Sequence, residues 1–168
     1  INGGQSPIHE PGLKDLLAAH SGEKLTATTE YDAILDTEIT FLALPTPARE
    51  DGSIDTSIIE SAAETLGESL QAKDGDHVVT TKSTVIPTTT RETLAPILEA
   101  ASGKTLGEDL HMAMNPEFLR EGSAVNDFLD PDKIVLGTDS DTAHETLHEV
   151  FEPLIEATGA PFVDTGIE

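Results

Sequence analysis

The sequence predicts an α/β fold: a parallel sheet with helices on both faces. Three observations carry it. Short apolar runs alternate along the chain with longer stretches whose apolar residues recur at the helical period. The strongest run, EITFLAL at 38–44, reads as a strand shielded on both faces rather than half-exposed. The stretches between runs can hold a helix, which a crossover between parallel strands requires. The 168 residues suit one domain, 1–168, with a sizeable core.

The elements follow in order. Residues 11–19, PGLKDLLAA, read as a helix, Lys24–Thr28 as a short strand and Tyr31–Leu35 as a short helix. Glu38–Leu44 is a strand that LeuProThrPro (44–47) ends, because proline cannot continue a central ladder. Asp51-Gly52 is a turn. Over 55–72, Ile58, Ile59, Ala62, Ala63, Leu66 and Leu70 mark a helix that Asp55 or Thr56 can cap. His77–Thr81 is a strand, Thr88–Ala101 a helix and Leu110–Met114 a strand. Lys133–Gly137 is a strand, Asp141–Ala157 a helix with Leu147, Val150, Phe151, Leu154 and Ile155 inward, and Pro161–Asp164 a last strand.

Ligands of such sheets sit beyond the carboxyl ends of the strands. Three polar motifs fall there: LeuProThrPro (44–47), ThrLysSerThr (81–84) and MetAsnProGluPhe (114–118). The Thr84 hydroxyl could serve a ligand or cap the next helix, and both readings stand. In MNPEFLREGSAVNDF (114–128), Asn115 suits a helix cap, Pro116 a first helical residue and Gly122 a stop. Glu117 would then lie in the first turn and Glu121 one turn later on the same face. The two are either the solvated face of a short helix or an acid/base pair.

Composition narrows the partners. Nine Lys and Arg against 32 Asp and Glu give a net charge of −23. Phosphate neutralisation needs clustered cations, so nucleic acid is excluded, and an anionic membrane surface would repel the chain. No apolar run approaches the ~18 residues of a membrane span. The acids are spread between apolar segments, which suits a folded protein from a salt-loving source, where cations screen the self-repulsion. With no Cys there is no disulfide and no cysteine nucleophile within the chain, and a cytoplasmic setting is expected. The first residue is Ile1 rather than Met, which reads as a processed terminus or a piece of a longer chain.

Two motifs are set aside. His144-Glu145-Thr146-Leu147-His148 matches H-E-x-x-H, but zinc needs a third ligand and a cleft, so no metal is assigned. Ser102-Gly103-Lys104-Thr105 resembles the end of a phosphate-binding loop, yet Leu98 stands where that pattern needs glycine. The fingerprint G-x-G-x-x-G is also absent from the chain.

Taken together, SPIHEPGL (6–13), LPTP…DGSID (44–55), KSTV (82–85) and NPEFLREGSAV…DFL…PDKIVLG (115–137) resemble the nucleotide-sugar dehydrogenases, the UDP-glucose/GDP-mannose dehydrogenase family. The resemblance runs over nearly the whole chain in order. It implies a Rossmann-like NAD-binding domain lacking its first β-α-β unit, with the central and UDP-binding domains outside this chain. It implies NAD-dependent oxidation of UDP-glucose at C6 to UDP-glucuronate for polysaccharide and other glycan synthesis, in two hydride transfers through a cysteine thioester. GDP-mannose and UDP-N-acetylmannosamine are the alternative substrates, and a non-catalytic nucleotide-binding fragment is the alternative role. Carried over by motif, Thr84, Glu117 and Glu121 are the expected catalytic residues. Thr46, Ser83, Thr84 and Glu121 are expected to bind NAD, and Glu117, Phe118, Leu119, Arg120 and Glu121 the UDP-sugar. A homodimer is expected for the full-length protein, and inactivity for this chain alone. Thr88 departs from the family pattern, which has glycine there.

Overall fold

In a computed structural model, which describes residues 1–167, five strands form one sheet in the order β1-β2-β3-β4-β5. They are β1 Ile39–Leu42, β2 His77–Thr81, β3 Leu110–Met114, β4 Ile134–Thr138 and β5 Phe162–Thr165. The helices are α1 Leu13–His20, α2 Ser57–Leu70, α3 Ala95–Ser102, α4 Ala124–Leu129 and α5 Asp141–Thr158.

Side chains alternate across the strands and fill two cores. Val79, Leu110 and Met112 pack with Ile59, Leu66 and Leu70 of α2 and Leu98 of α3 on one face. Val78, Ala113, Ile134 and Leu136 pack with Ala143, Leu147 and Phe151 of α5 on the other. Helices therefore cover both faces. The α2–α3 contact is close because Gly67 lies over Ala101, where an added Cβ would stand 2.6 Å from the Ala101 Cβ.

The structure corrects several expectations. β1, β2 and β3 are parallel, as are β4 and β5, but β3 and β4 are antiparallel through Ala113↔Thr138 and Met114↔Gly137. The segment 115–133 holds only the six-residue α4. It never carries the chain back across a face, so β4 returns beside the end of β3. Lys24–Thr28 is not a strand: no strand lies beside it among the described residues, and Ala27 bonds the Asn2 side chain instead (2.6 and 2.7 Å). The first helix starts at Leu13 because Gly12 adopts φ +82°. The 88–101 helix divides into a π-helical stretch, Thr89–Leu94, and α3. Pro96 explains the division, since it lacks an N–H and crowds the carbonyl four residues back. Thr88 has φ +76°, the one positive φ at a non-glycine among the described residues, so the backbone there is of the kind that favours the glycine this chain lacks.

Candidate functional site

β1 and β2 leave the sheet side by side and are tied together at once. The Leu42 carbonyl accepts the N–H groups of Lys82 (2.9 Å) and Ser83 (3.1 Å). The Ser83 hydroxyl accepts the Leu44 N–H (2.7 Å) and lies 2.7 Å from the Leu44 carbonyl. Thr46 donates its hydroxyl to the Thr84 carbonyl (2.7 Å). Thr46, Ser83 and Thr84 thus come together on one ledge. Ser83 is buried there and Thr84 is exposed.

The exit of β3 is built differently from its local pattern. Asn115 is only 2% exposed and does not cap a helix. Its N–H donates to the Thr81 carbonyl (2.9 Å), its amide NH2 to the Val135 carbonyl (2.7 Å), and its side-chain oxygen accepts from Lys82 Nζ (2.9 Å). That oxygen is then committed, and residues 115–120 run as an extended loop. The Glu117 carboxylate accepts the Leu119 N–H (2.5 Å). Arg120 grips Asp127 through Nε (3.1 Å) and a second guanidinium nitrogen (2.6 Å), and its backbone N–H adds a third bond (2.9 Å). That fork holds the Asp127 carboxyl well below the ordinary carboxylate range. Gly122 turns at φ +83°. Glu10 accepts the N–H groups of Gly122 and Ala124 (2.9 Å each), so it serves the start of α4 from the far end of the chain.

A cavity of about 600 Å³ opens here, lined by Lys82, the loop 115–120, residues 126–128 and 130–134, and Phe151 and Leu154 of α5. The wall interleaves apolar side chains with polar and charged ones, the latter slightly in the majority, which suits a polar ligand. Phe118 is 53% exposed at the rim, with the Lys133 ammonium 5.2 Å from its ring centre. Burial pulls the Lys82 ammonium below the usual lysine range, and the charge of Glu117 opposes that shift.

Among the expected site residues, Glu117, Phe118, Leu119 and Arg120 line this cavity. Thr46, Ser83 and Thr84 form the neighbouring ledge. Glu121 sits on the exposed turn before α4, outside the cavity lining, and shares no helical face with Glu117. Reading the sequence missed Lys82, Asp127 and Lys133 as cavity residues, and the long-range role of Glu10. Only Lys82 carried a signal: a cation directly after a strand buried at every residue.

The ledge offers hydroxyls and backbone groups without a cation, a set that fits the carboxamide and ribose hydroxyls at the nicotinamide end of NAD rather than its phosphates. A diphosphate calls for a glycine-rich turn at a helix N-terminus, a pattern these residues do not contain. His144 pairs with Asp164 (3.0 Å), and the described residues hold no group of three or more His, Cys, Asp or Glu side chains placed to hold a metal ion.

Known proteins resemble this chain in sequence and in fold. Residues 1–155 match the model of the UDP-glucose/GDP-mannose dehydrogenase family, NAD binding domain. The chain is 59% identical to the UDP-glucose 6-dehydrogenase AglM of the halophilic archaeon Haloferax volcanii, over 99% of this chain and 39% of that protein. A GDP-mannose 6-dehydrogenase of Pseudomonas aeruginosa is 35% identical over 100% of this chain and 38% of its own. Among solved structures, a GDP-mannose dehydrogenase from Pseudomonas aeruginosa superposes with a TM-score of 0.92 at 34% identity, covering 99% of this chain and 38% of that one. A UDP-glucose dehydrogenase from Pyrobaculum islandicum gives 0.88 at 37% identity, covering 99% and 37%. The chain spans about two fifths of the length of the curated relatives it matches.

Proposed function

Because the chain belongs to the UDP-glucose/GDP-mannose dehydrogenase family through its NAD-binding domain, we propose that it works within a UDP-glucose 6-dehydrogenase. That enzyme oxidises C6 of UDP-glucose to the carboxylate of UDP-glucuronate. One observation carries the reading: the β3 exit sets Glu117 on the wall of a 600 Å³ cavity, directly beside the hydroxyl ledge. Bound NAD supplies the hydride acceptor. Thr46, Ser83 and Thr84 would hold its nicotinamide–ribose end, and Glu121 would be the carboxylate on the nicotinamide side. Residues 117–120 run along the sugar nucleotide, with Phe118 and Leu119 offering mainly backbone. Glu117 takes up and returns protons as water hydrolyses the acyl intermediate, with Thr84 orienting that water. The chain has no cysteine, so the thiol that forms the intermediate comes from outside these residues, and the chain alone makes no product. We assign the working enzyme to the cytoplasm as a homodimer; no described helix is long and apolar enough to cross a membrane.

The test is Glu117→Gln in the protein that carries this segment. UDP-glucose should bind about as before by calorimetry, while turnover falls ~10²–10⁴-fold, the usual worth of an acid–base group. Turnover at the unsubstituted rate refutes the assignment. The high TM-score with a GDP-mannose dehydrogenase supports a second reading of the sugar. Comparing kcat/KM for UDP-glucose and GDP-mannose separates the two.

A further inference from the structure

The cavity wall holds a cation that the proposed reaction does not use. Lys82 follows β2 directly, and its backbone N–H is bonded to Leu42 on β1. Its ammonium reaches Asn115 Oδ1 on the β3 exit, and Asn115 in turn reaches the Val135 carbonyl on β4. One lysine–asparagine pair therefore ties together the exits of β1, β2 and β3 and the backbone of β4, and Glu117 sits two residues beyond the tie. Among the described residues no carboxylate lies within ion-pair distance of Lys82, although the chain carries 32 acids. Other cations near the cavity are engaged elsewhere: Arg120 grips Asp127, and Lys133 lies over Phe118.

We propose that Lys82 is a positioning residue for Glu117. Its clamp on Asn115 keeps the β3 exit extended, and its ammonium is the positive charge that faces the Glu117 carboxylate inside the cavity. An ammonium has three donors, and Asn115 takes one. The others are available to an oxygen at the wall. Without Lys82 the buried Asn115 oxygen has no partner, which frees it to cap a helix starting at Pro116, as the local sequence favours. The same loss leaves Glu117 with Asp127, Asp130 and Asp132 on the cavity lining, and with only Lys133 and the occupied Arg120 as cations there. Burial pulls the Lys82 ammonium down and the charge of the exposed Glu117 pulls it back, so the two interact across the cavity without a direct ion pair.

The inference rests on Glu117 being the proton-transferring group, and two readouts keep the claims apart. The first is a carbon-13 titration of the Glu117 carboxyl in this chain, unsubstituted and as Lys82→Met and Lys82→Arg, at one fixed salt concentration. Its midpoint should move to higher pH in Lys82→Met and return towards the starting value in Lys82→Arg. An unchanged midpoint in Lys82→Met overturns the proposal whatever Glu117 does in catalysis. The second is the pH profile of kcat in the protein carrying this segment. Lys82→Met should lower kcat, by less than Glu117→Gln does, and shift the acidic limb upward. A uniform loss with an unshifted limb, or a loss in KM alone, also overturns it. If Lys82→Met fails to fold, Lys82→Gln, which can still donate to Asn115, takes its place with the same expected shift. Full turnover in Glu117→Gln would sink the base assignment and leave the titration result standing.

Discussion

The pH dependence of stability should carry the signature of one histidine. His77 opens β2 with 0% exposure, and its Nε2 lies 2.9 Å from the Thr40 hydroxyl on β1. Burial, reinforced by the nearby Lys73 charge, pushes its pKa from 6.5 down to about 4. The folded protein therefore keeps His77 neutral where the unfolded chain would protonate it. Above about pH 6.5 both states are neutral and the residue contributes no slope. As pH falls below that value the unfolded chain takes up a proton that the folded one refuses, so stability drops until about pH 4. The shift corresponds to about 3 kcal/mol, at a limiting slope of about 1.4 kcal/mol per pH unit. The assay is urea unfolding from pH 8 to pH 4 in a fixed molar concentration of KCl, for the unsubstituted chain and His77→Gln. The variant carries a constant offset from its altered packing, but the gap between the two curves should narrow by about 3 kcal/mol on acidification. A gap that stays constant from pH 7 to pH 4 refutes the reasoning; if His77→Gln does not fold, His77→Leu gives the same comparison. Asp55 is held near pH 2 by Ser57 and Arg49, so its contribution is lost only below the ordinary carboxylate range and does not overlap this window.

Other consequences are direct. Thr88→Gly should raise the melting temperature: it relieves a left-handed backbone costing about 1–2 kcal/mol, less the extra entropy glycine brings to the unfolded chain. A lower melting temperature would mean that Thr88 side-chain contacts outweigh its backbone. Gly137→Ala should destabilise by about 1–3 kcal/mol, because the new Cβ would stand 2.7 Å from the Gly166 carbonyl oxygen, a backbone atom that must shift. Chemical denaturation of that variant reads the loss, and unchanged stability would show that the segment after β5 yields freely. With a net charge of −23, thermal stability should rise steeply from dilute buffer to molar KCl, as the screening length falls from ~10 Å at 0.1 M to ~3 Å at 1 M. A melting temperature indifferent to salt would refute the view of the surface as a self-repelling shell.

Most of the fold is legible in the residues because its signals are local. The apolar runs of β2 and β3 appear with the expected bounds, and β1, β4 and β5 within a residue or two. The periodic faces of α2 and α5 point into the two cores, except that Ile58 and Val150, read as inward, lie at the edge of each stripe and face solvent. A strand buried on both faces has to be apolar throughout, and a covering helix has to be striped, whatever their neighbours are. Lys24–Thr28 shows the limit: a strand exists only with a partner, and no local pattern supplies one. The direction of β4 was hidden for a related reason, since a short connection that stays at one end of the sheet reads much like one that crosses it.

The site divides along the same line. Motif placement at strand exits pointed to the segments 44–47, 81–84 and 114–118, and the resemblance to the dehydrogenases named Thr46, Ser83, Thr84 and Glu117 within them. What only the tertiary structure decided is the course of the chain from Asn115 to Gly122. Local preference favours a capped helix there, because an asparagine oxygen, a proline and a first-turn glutamate all suit one. In the folded chain that oxygen belongs to Lys82, 33 residues earlier, and the turn that starts α4 belongs to Glu10, 112 residues before Gly122. Each such bond outbids the cap because it satisfies a buried or charged group that has no other partner, and neither partner can be seen from within the segment. Glu117 and Glu121 are therefore not a pair on one helical face: Glu117 lies at the cavity wall opposite a lysine, and Glu121 lies on the turn outside it.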